Sequence, residues 1–233
     1  LSGQGGAPAA ATVDFYTSQG YDCIPTGPGP LAHLAFTVPG VVSAYIVLLE
    51  RYGTKTISEV MAPAISYAEH GIPNYEYMIG ALDSPNSRKQ FDYYPPGGSE
   101  IFYQGGALPK PGSLLVQKAL ADTLKALSVV DSRTPGGRLD GLRAARHAFY
   151  EGEVARTIVD CAQRAGGILT MDDLAGYHAK FDEPVSTSFA GHEIYGQPTW
   201  TQGPMLLQAL NMLEHFDLKA MGHNSPAYIH TIV

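Results

Sequence analysis

Few residues in this chain could do chemistry, and those close together in sequence read as structural. Glu151 and Glu153 come nearest to an acid/base pair. Two positions apart at a helix start, they point away from each other, and carboxylates there complement the helix dipole. Asp172 and Asp173 follow Thr170 in the first turn of a short helix, where they serve as capping residues. His215, His223 and His230 lack an acidic or cysteine partner at ligand spacing, so they read as surface or structural histidines rather than a metal site. Residues 27–32, GPGPLA, formally fit a G-x-G-x-x-A phosphate loop. Two prolines inside it, and no strand pattern before it, argue against dinucleotide binding. No G-x-S-x-G elbow, Walker loop or H-E-x-x-H helix occurs. No catalytic residue, metal ligand or cofactor is therefore assigned on residue pattern. Cys23 and Cys161 are the two cysteines, too few for a disulfide framework, and Cys161 falls on an apolar helical face, which places it in the core. Trp200, the single tryptophan, sits in a Gly/Pro loop and is expected to pack rather than bind.

The totals set limits on partners. The 233 residues carry a net charge of −7 and are 45% hydrophobic, which fits a globular fold. With a pI near 5.5 and no basic run longer than Arg88-Lys89, nothing marks a phosphate-tracking surface, and nucleic acid is not an expected partner. No apolar run reaches the length of a membrane span. The chain begins at Leu1 and ends inside a helix opened by Ser225-Pro226, so both ends read as cut and the compartment stays open.

Helical periodicity dominates. Residues 41–52 form an amphipathic helix with Val41, Val42, Tyr45, Leu48, Leu49 and Tyr52 on one face, ended by Gly53. Residues 58–70 form a second helix, residues 114–127 a third, and residues 139–150 lead into residues 152–165, whose helix Gly166-Gly167 closes. Pro8 opens an alanine-rich helical segment to about residue 16, and residues 34–38 and 101–103 read as short strands. Residues 93–98 form a turn-rich loop. Residues 185–195 make a hairpin turning at Ala190-Gly191, and residues 205–215 are helical.

The wording of these elements adds what periodicity does not. Phe149-Tyr150-x-Gly152 and Gly166-Gly167-x-Leu169-Thr170-x-x-Asp173-Leu174-Ala175-x-Tyr177 resemble the large subunit of the gamma-glutamyltranspeptidase family, which are N-terminal-nucleophile (Ntn) hydrolases. Further matches follow the same order: Ala7-Pro8-Ala9-Ala10-Ala11-Thr12, Val38-Pro39-Gly40, Arg51-Tyr52-Gly53-Thr54, Ala62-Pro63-Ala64-Ile65, Leu120-Ala121-x-Thr123-Leu124, and residues 206–214. The resemblance covers essentially the whole chain, residues 1–233, as part of a large subunit. It implies an α+β class, mainly helical, within an αββα four-layer fold.

It also implies a mechanism whose centre lies elsewhere. The family's nucleophile is a threonine that heads a second, C-terminal small subunit after self-cleavage, with its own amine as base and an oxyanion hole for the intermediate. No threonine here has that context, so this chain alone is expected to be inactive. One departure bears on substrate. Just before the A-P-A-x-A-T segment the family carries an arginine that holds the donor's α-carboxylate; Gln4 stands in its place. A neutral amide cannot make the bidentate, charge-assisted pair of guanidinium with carboxylate. Gln4 is thus the one residue placed near substrate. Three functions follow: a gamma-glutamyl transferase or hydrolase, an amidohydrolase or acylase acting on another amide (which Gln4 favours), or a non-catalytic structural or binding domain.

Overall fold

The computed structural model describes residues 1–93 and 98–233. It divides into two units, Gly3–Ala179 and a smaller one made of Leu1–Ser2 with Lys180–Val233.

The regular elements of the larger unit are nearly all helices. It runs α1 (Val13–Ser18), α2 (Val41–Tyr52), α3 (Ile57–His70), β1 (Ile72–Pro73), α4 (Glu76–Leu82), α5 (Pro85–Tyr93), α6 (Gly98–Phe102), β2 (Leu114–Leu115), α7 (Lys118–Arg133), α8 (Arg138–Tyr150), α9 (Glu153–Arg164) and α10 (Met171–Ala175). Antiparallel β1 and β2 pair Ile72 with Leu115. One core cluster joins Val38 and Leu127 to Phe149, Tyr150, Ala155, Val159, Ala162, Leu169 and Leu174. A neighbouring cluster joins Ile46 and Ile57 to Leu142 and Ala145. Helices α7 and α8 approach closely because position 141 is glycine: a Cβ there would lie 2.4 Å from Asp131 Oδ1. Buried Asp131 in turn accepts from the Ser58 amide at 3.1 Å and the Ser58 hydroxyl at 2.7 Å, tying α7 to the start of α3. Such pairing is what makes a buried carboxylate tolerable.

The smaller unit holds the β3 (Val185–Phe189) and β4 (His192–Gly196) hairpin, then α11 (Gly203–Leu213), α12 (Leu218–Met221) and α13 (Pro226–Ile232). Its register pairs Val185 with Gly196 and Phe189 with His192 around the Ala190-Gly191 turn. Both turn residues have positive φ, the geometry a two-residue hairpin loop requires. The Thr187 hydroxyl donates to the Asn211 side chain, joining hairpin and α11.

Several expectations are corrected. Residues 8–12 are not helical: the Ala9 amide is engaged by Asp173, and α1 starts only after Thr12, whose hydroxyl accepts from Phe15 N–H. Residues 32–35 form a 3-10 turn where residues 34–38 read as a strand, and Ile101 and Phe102 lie in α6. Residues 114–127 split into β2 and a helix that continues to Arg133. Cys161 is exposed, one helical step off the buried Ala162. Trp200 is 42% exposed rather than buried. The face of α2 expected inside is largely outside, with Tyr45 61% exposed, while Ser43, Ala44 and Ile46 are buried. Positions 94–97 of the turn-rich loop lie outside the described residues.

Candidate functional site

Gln4 occupies an exposed segment with no regular secondary structure and three glycines around it, Gly3, Gly5 and Gly6. Backbone of that kind holds one conformation only if something else holds it. What holds it comes from far along the chain. The Tyr177 hydroxyl donates to the Gln4 carbonyl at 2.7 Å. The Val38 amide donates to the Gly6 carbonyl at 3.0 Å. The Ala9 amide donates to Asp173 Oδ1 at 2.7 Å. Contact is tight at the glycines: a Cβ on Gly5 would lie 1.8 Å from the Val38 carbonyl oxygen. One on Gly40 would lie 2.4 Å from the Tyr177 hydroxyl and 2.5 Å from the Gly3 carbonyl oxygen.

These anchors are themselves braced. Asp173 completes a capping box at α10, accepting from the Thr170 amide and hydroxyl while Thr170 Oγ1 accepts from the Asp173 amide. Burial pushes its carboxyl up, but the hydrogen bonds from Thr170 and Ala9 outweigh that and hold it below the ordinary value of 3.8. Tyr177 stacks on Tyr150 with ring centroids 6.0 Å apart. The buried Tyr150 hydroxyl donates to the Pro39 carbonyl at 2.6 Å and accepts from the Ser43 amide at 3.0 Å. Burial drives the Tyr150 phenol up to about 12, the Ser43 hydrogen bond offsetting only part of the effect. Burial also raises the Tyr177 phenol. Both therefore remain neutral donors at ordinary pH. Ser43 Oγ accepts from the Ala179 amide at 3.1 Å. Arg146 donates to the Tyr177 carbonyl, and to that of Ala175 at 3.4 Å, with its guanidinium 5.2 Å from the Tyr150 ring centroid.

The arrangement holds the main chain at Gln4 against a braced surface. Gln4 offers donors and an acceptor but no charge, and the Arg146 guanidinium is engaged with main-chain carbonyls. The other candidates separate. Glu151 pairs with Arg146 at 3.5 Å and His147 at 3.1 Å, Glu153 with Arg156 at 3.1 Å. The two carboxylates do not form one site. His215, His223 and His230 are exposed, and no metal-competent group of three His, Cys, Asp or Glu occurs among the described residues. No helix is long and apolar enough to cross a membrane among them.

The gamma-glutamyltranspeptidase family profile matches residues 1–233. The chain belongs to the gamma-glutamyltranspeptidase family. It is 32% identical over 201 residues to a glutathione hydrolase-like proenzyme, YwrD, of Bacillus subtilis (strain 168), covering 85% of this chain and 35% of that protein. Among solved structures, gamma-glutamyltranspeptidase of Helicobacter pylori superposes with a TM-score of 0.83 at 30% identity, over 98% of this chain and 61% of the other. A cephalosporin acylase from Bacillus halodurans superposes with a TM-score of 0.83 at 27% identity, over 99% and 40%. The chain thus spans about a third of the length of the curated relatives it matches. Family membership accounts for a mainly helical chain with few strands, and for the ordered motifs read from sequence. Motif wording included Tyr150 and Tyr177 but gave them no part beside Gln4. Their only signal was aromatic residues bounding the most distinctive stretch of the chain.

Proposed function

We propose that residues 1–233 form part of the large subunit of a gamma-glutamyltranspeptidase-like amide hydrolase or acyltransferase, and supply one wall of its substrate pocket. The nucleophile in this reading is a threonine at the head of a C-terminal subunit, and the assembled protein has the αββα layers of Ntn hydrolases. The threonine amine takes the proton of its own hydroxyl as oxygen bonds to the substrate carbonyl carbon. Collapse of the tetrahedral intermediate breaks the C–N bond, the proton leaves with the amine, and water or a second amine then resolves the ester. The relatives of this family that are proenzymes by name support a precursor of this kind. This chain by itself would have no turnover.

Gln4 carries the substrate assignment. It sits on a segment held by Tyr177, Val38 and Asp173, at the position where the family resemblance puts a carboxylate-binding arginine. A neutral amide there favours an acyl group without an α-carboxylate, as in the acylase branch, over a gamma-glutamyl donor. The test begins with the complete protein. Intact mass should show two fragments, the second beginning with threonine. The cleaved protein should hydrolyse neutral acyl anilides faster than gamma-glutamyl anilide. Gln4→Arg should raise kcat/KM for gamma-glutamyl anilide by about 10- to 100-fold, the range of a charge-assisted hydrogen bond. A single uncleaved product without turnover would remove the enzyme reading; gamma-glutamyl anilide preferred by the unaltered protein would remove the acylase one.

A further inference from the structure

We infer that Tyr177 is a positioning residue for the substrate wall, fixing Gln4 through the hydrogen bond from its hydroxyl to the Gln4 carbonyl. As a statement about substrate, this rests on the role proposed for Gln4; as a statement about the segment, it stands on geometry alone.

The residues flanking Gln4 have no side chains with which to fix themselves, since Gly3, Gly5 and Gly6 surround it. Gln4's main-chain carbonyl accepts a 2.7 Å bond from Tyr177, a residue 173 positions away. That phenol also forms the stop against which Gly40 and, across it, the Gly3 carbonyl are set, at distances a single added carbon would violate. Tyr177 is not free to follow the loop. Its ring is stacked on Tyr150, its carbonyl is held by Arg146, and the Tyr150 hydroxyl is locked between Pro39 and Ser43. The Gln4 segment is therefore registered on a braced tyrosine pair, and loss of one oxygen atom loosens it at Gln4, with the Val38 and Asp173 anchors left in place, without removing the ring that packs. A misplaced binding group weakens substrate capture before it affects chemistry at a nucleophile on another subunit.

The experiment uses Tyr177→Phe in the complete protein, with two readouts. Amide hydrogen exchange over residues 3–9 should accelerate about fivefold, the loss of one modest hydrogen bond, while α9 stays protected. KM for the best anilide should rise by a similar factor with kcat unchanged. Unaltered exchange over residues 3–9, or a fall in kcat at constant KM, would overturn the inference. Should Tyr177→Phe not fold, Gly5→Ala displaces the same segment from the Val38 side. There a KM increase at unchanged kcat, whatever the change in Tm, sustains the inference, and a fall in kcat at constant KM overturns it. If the unaltered protein turns over no amide, the proposed function falls, and hydrogen exchange still decides whether Tyr177 holds the segment.

Discussion

Helix α2 belongs to two regions built on opposite principles. Its first turn enters the tyrosine platform beneath Gln4, where Ser43 is fully buried and hydrogen-bonded at both its amide and its hydroxyl. Its outer face borders a groove of about 470 Å³ lined by Val41, Val42, Tyr45, Leu48, Leu49 and, from α3 and α7, residues that include Val60, Met61 and Leu124. The platform is hydrogen-bonded and specified by direction. The groove is apolar and open, with Leu48 44% and Val60 45% exposed. Hydrogen bonds fix an exposed glycine segment because each has a required geometry, whereas apolar contact fixes only proximity.

The sharpest way to break this contrast is to remove the platform. Tyr150→Ala should destabilise the 233-residue chain by about 3–5 kcal/mol, the cost of emptying a buried aromatic site, read as a lowered urea midpoint. A loss below about 1 kcal/mol would mean the platform is not a core element. Next in size is Gly40→Ala. The added carbon would lie 2.4 Å from the Tyr177 hydroxyl and 2.5 Å from the Gly3 carbonyl oxygen, and an overpacked contact of this kind costs about 1–3 kcal/mol. Thermal melts should show it, with exchange of residues 3–9 accelerated; a neutral result would mean the segment shifts freely.

A smaller effect is expected at Asp173. Asp173→Ala removes a capping partner and the Ala9 anchor, worth about 1 kcal/mol. Because the folded carboxyl titrates below its ordinary 3.8, its contribution is present above that pH and is lost as pH falls through the folded value. The wild-type and Asp173→Ala stabilities should therefore converge in acid and differ at neutral pH. A difference that persists at pH 2 would assign the effect to packing instead. Smallest of all is the groove. Leu48→Gln should change stability by no more than about 0.5 kcal/mol, as at an exposed site. It should still reduce binding of a hydrophobic dye to the chain. Dye binding that is absent from the unaltered chain, or unchanged in the variant, would show that the groove is not open in solution.

Elements and their punctuation were readable locally. The α2 helix ends at Gly53, the Thr170 and Asp173 capping box forms, Ser225 caps α13, and the hairpin turns at Ala190-Gly191, because each depends on residues within a few positions of one another. Local periodicity also located an apolar stripe on α2, of which Val42 and Leu49 pack against the core while Val41, Tyr45, Leu48 and Tyr52 stay exposed. The core accepted the small residues Ser43 and Ala44 with Ile46, which permit close approach, and left most of the stripe outside. For Cys161 the error was one step around α9.

Sequence alone determined the family, the helical character and the place of Gln4 just before the Ala7-Pro8-Ala9-Ala10-Ala11-Thr12 motif. These are properties of residue order. Tertiary structure decided what Gln4 rests on. Tyr177, Asp173 and Val38 meet that segment from 32 to 173 positions away, and neither periodicity nor a motif encodes which distant hydroxyl will satisfy which carbonyl. Glycine-rich backbone carries no side-chain pattern to read, so its conformation is set by the partners that folding brings to it.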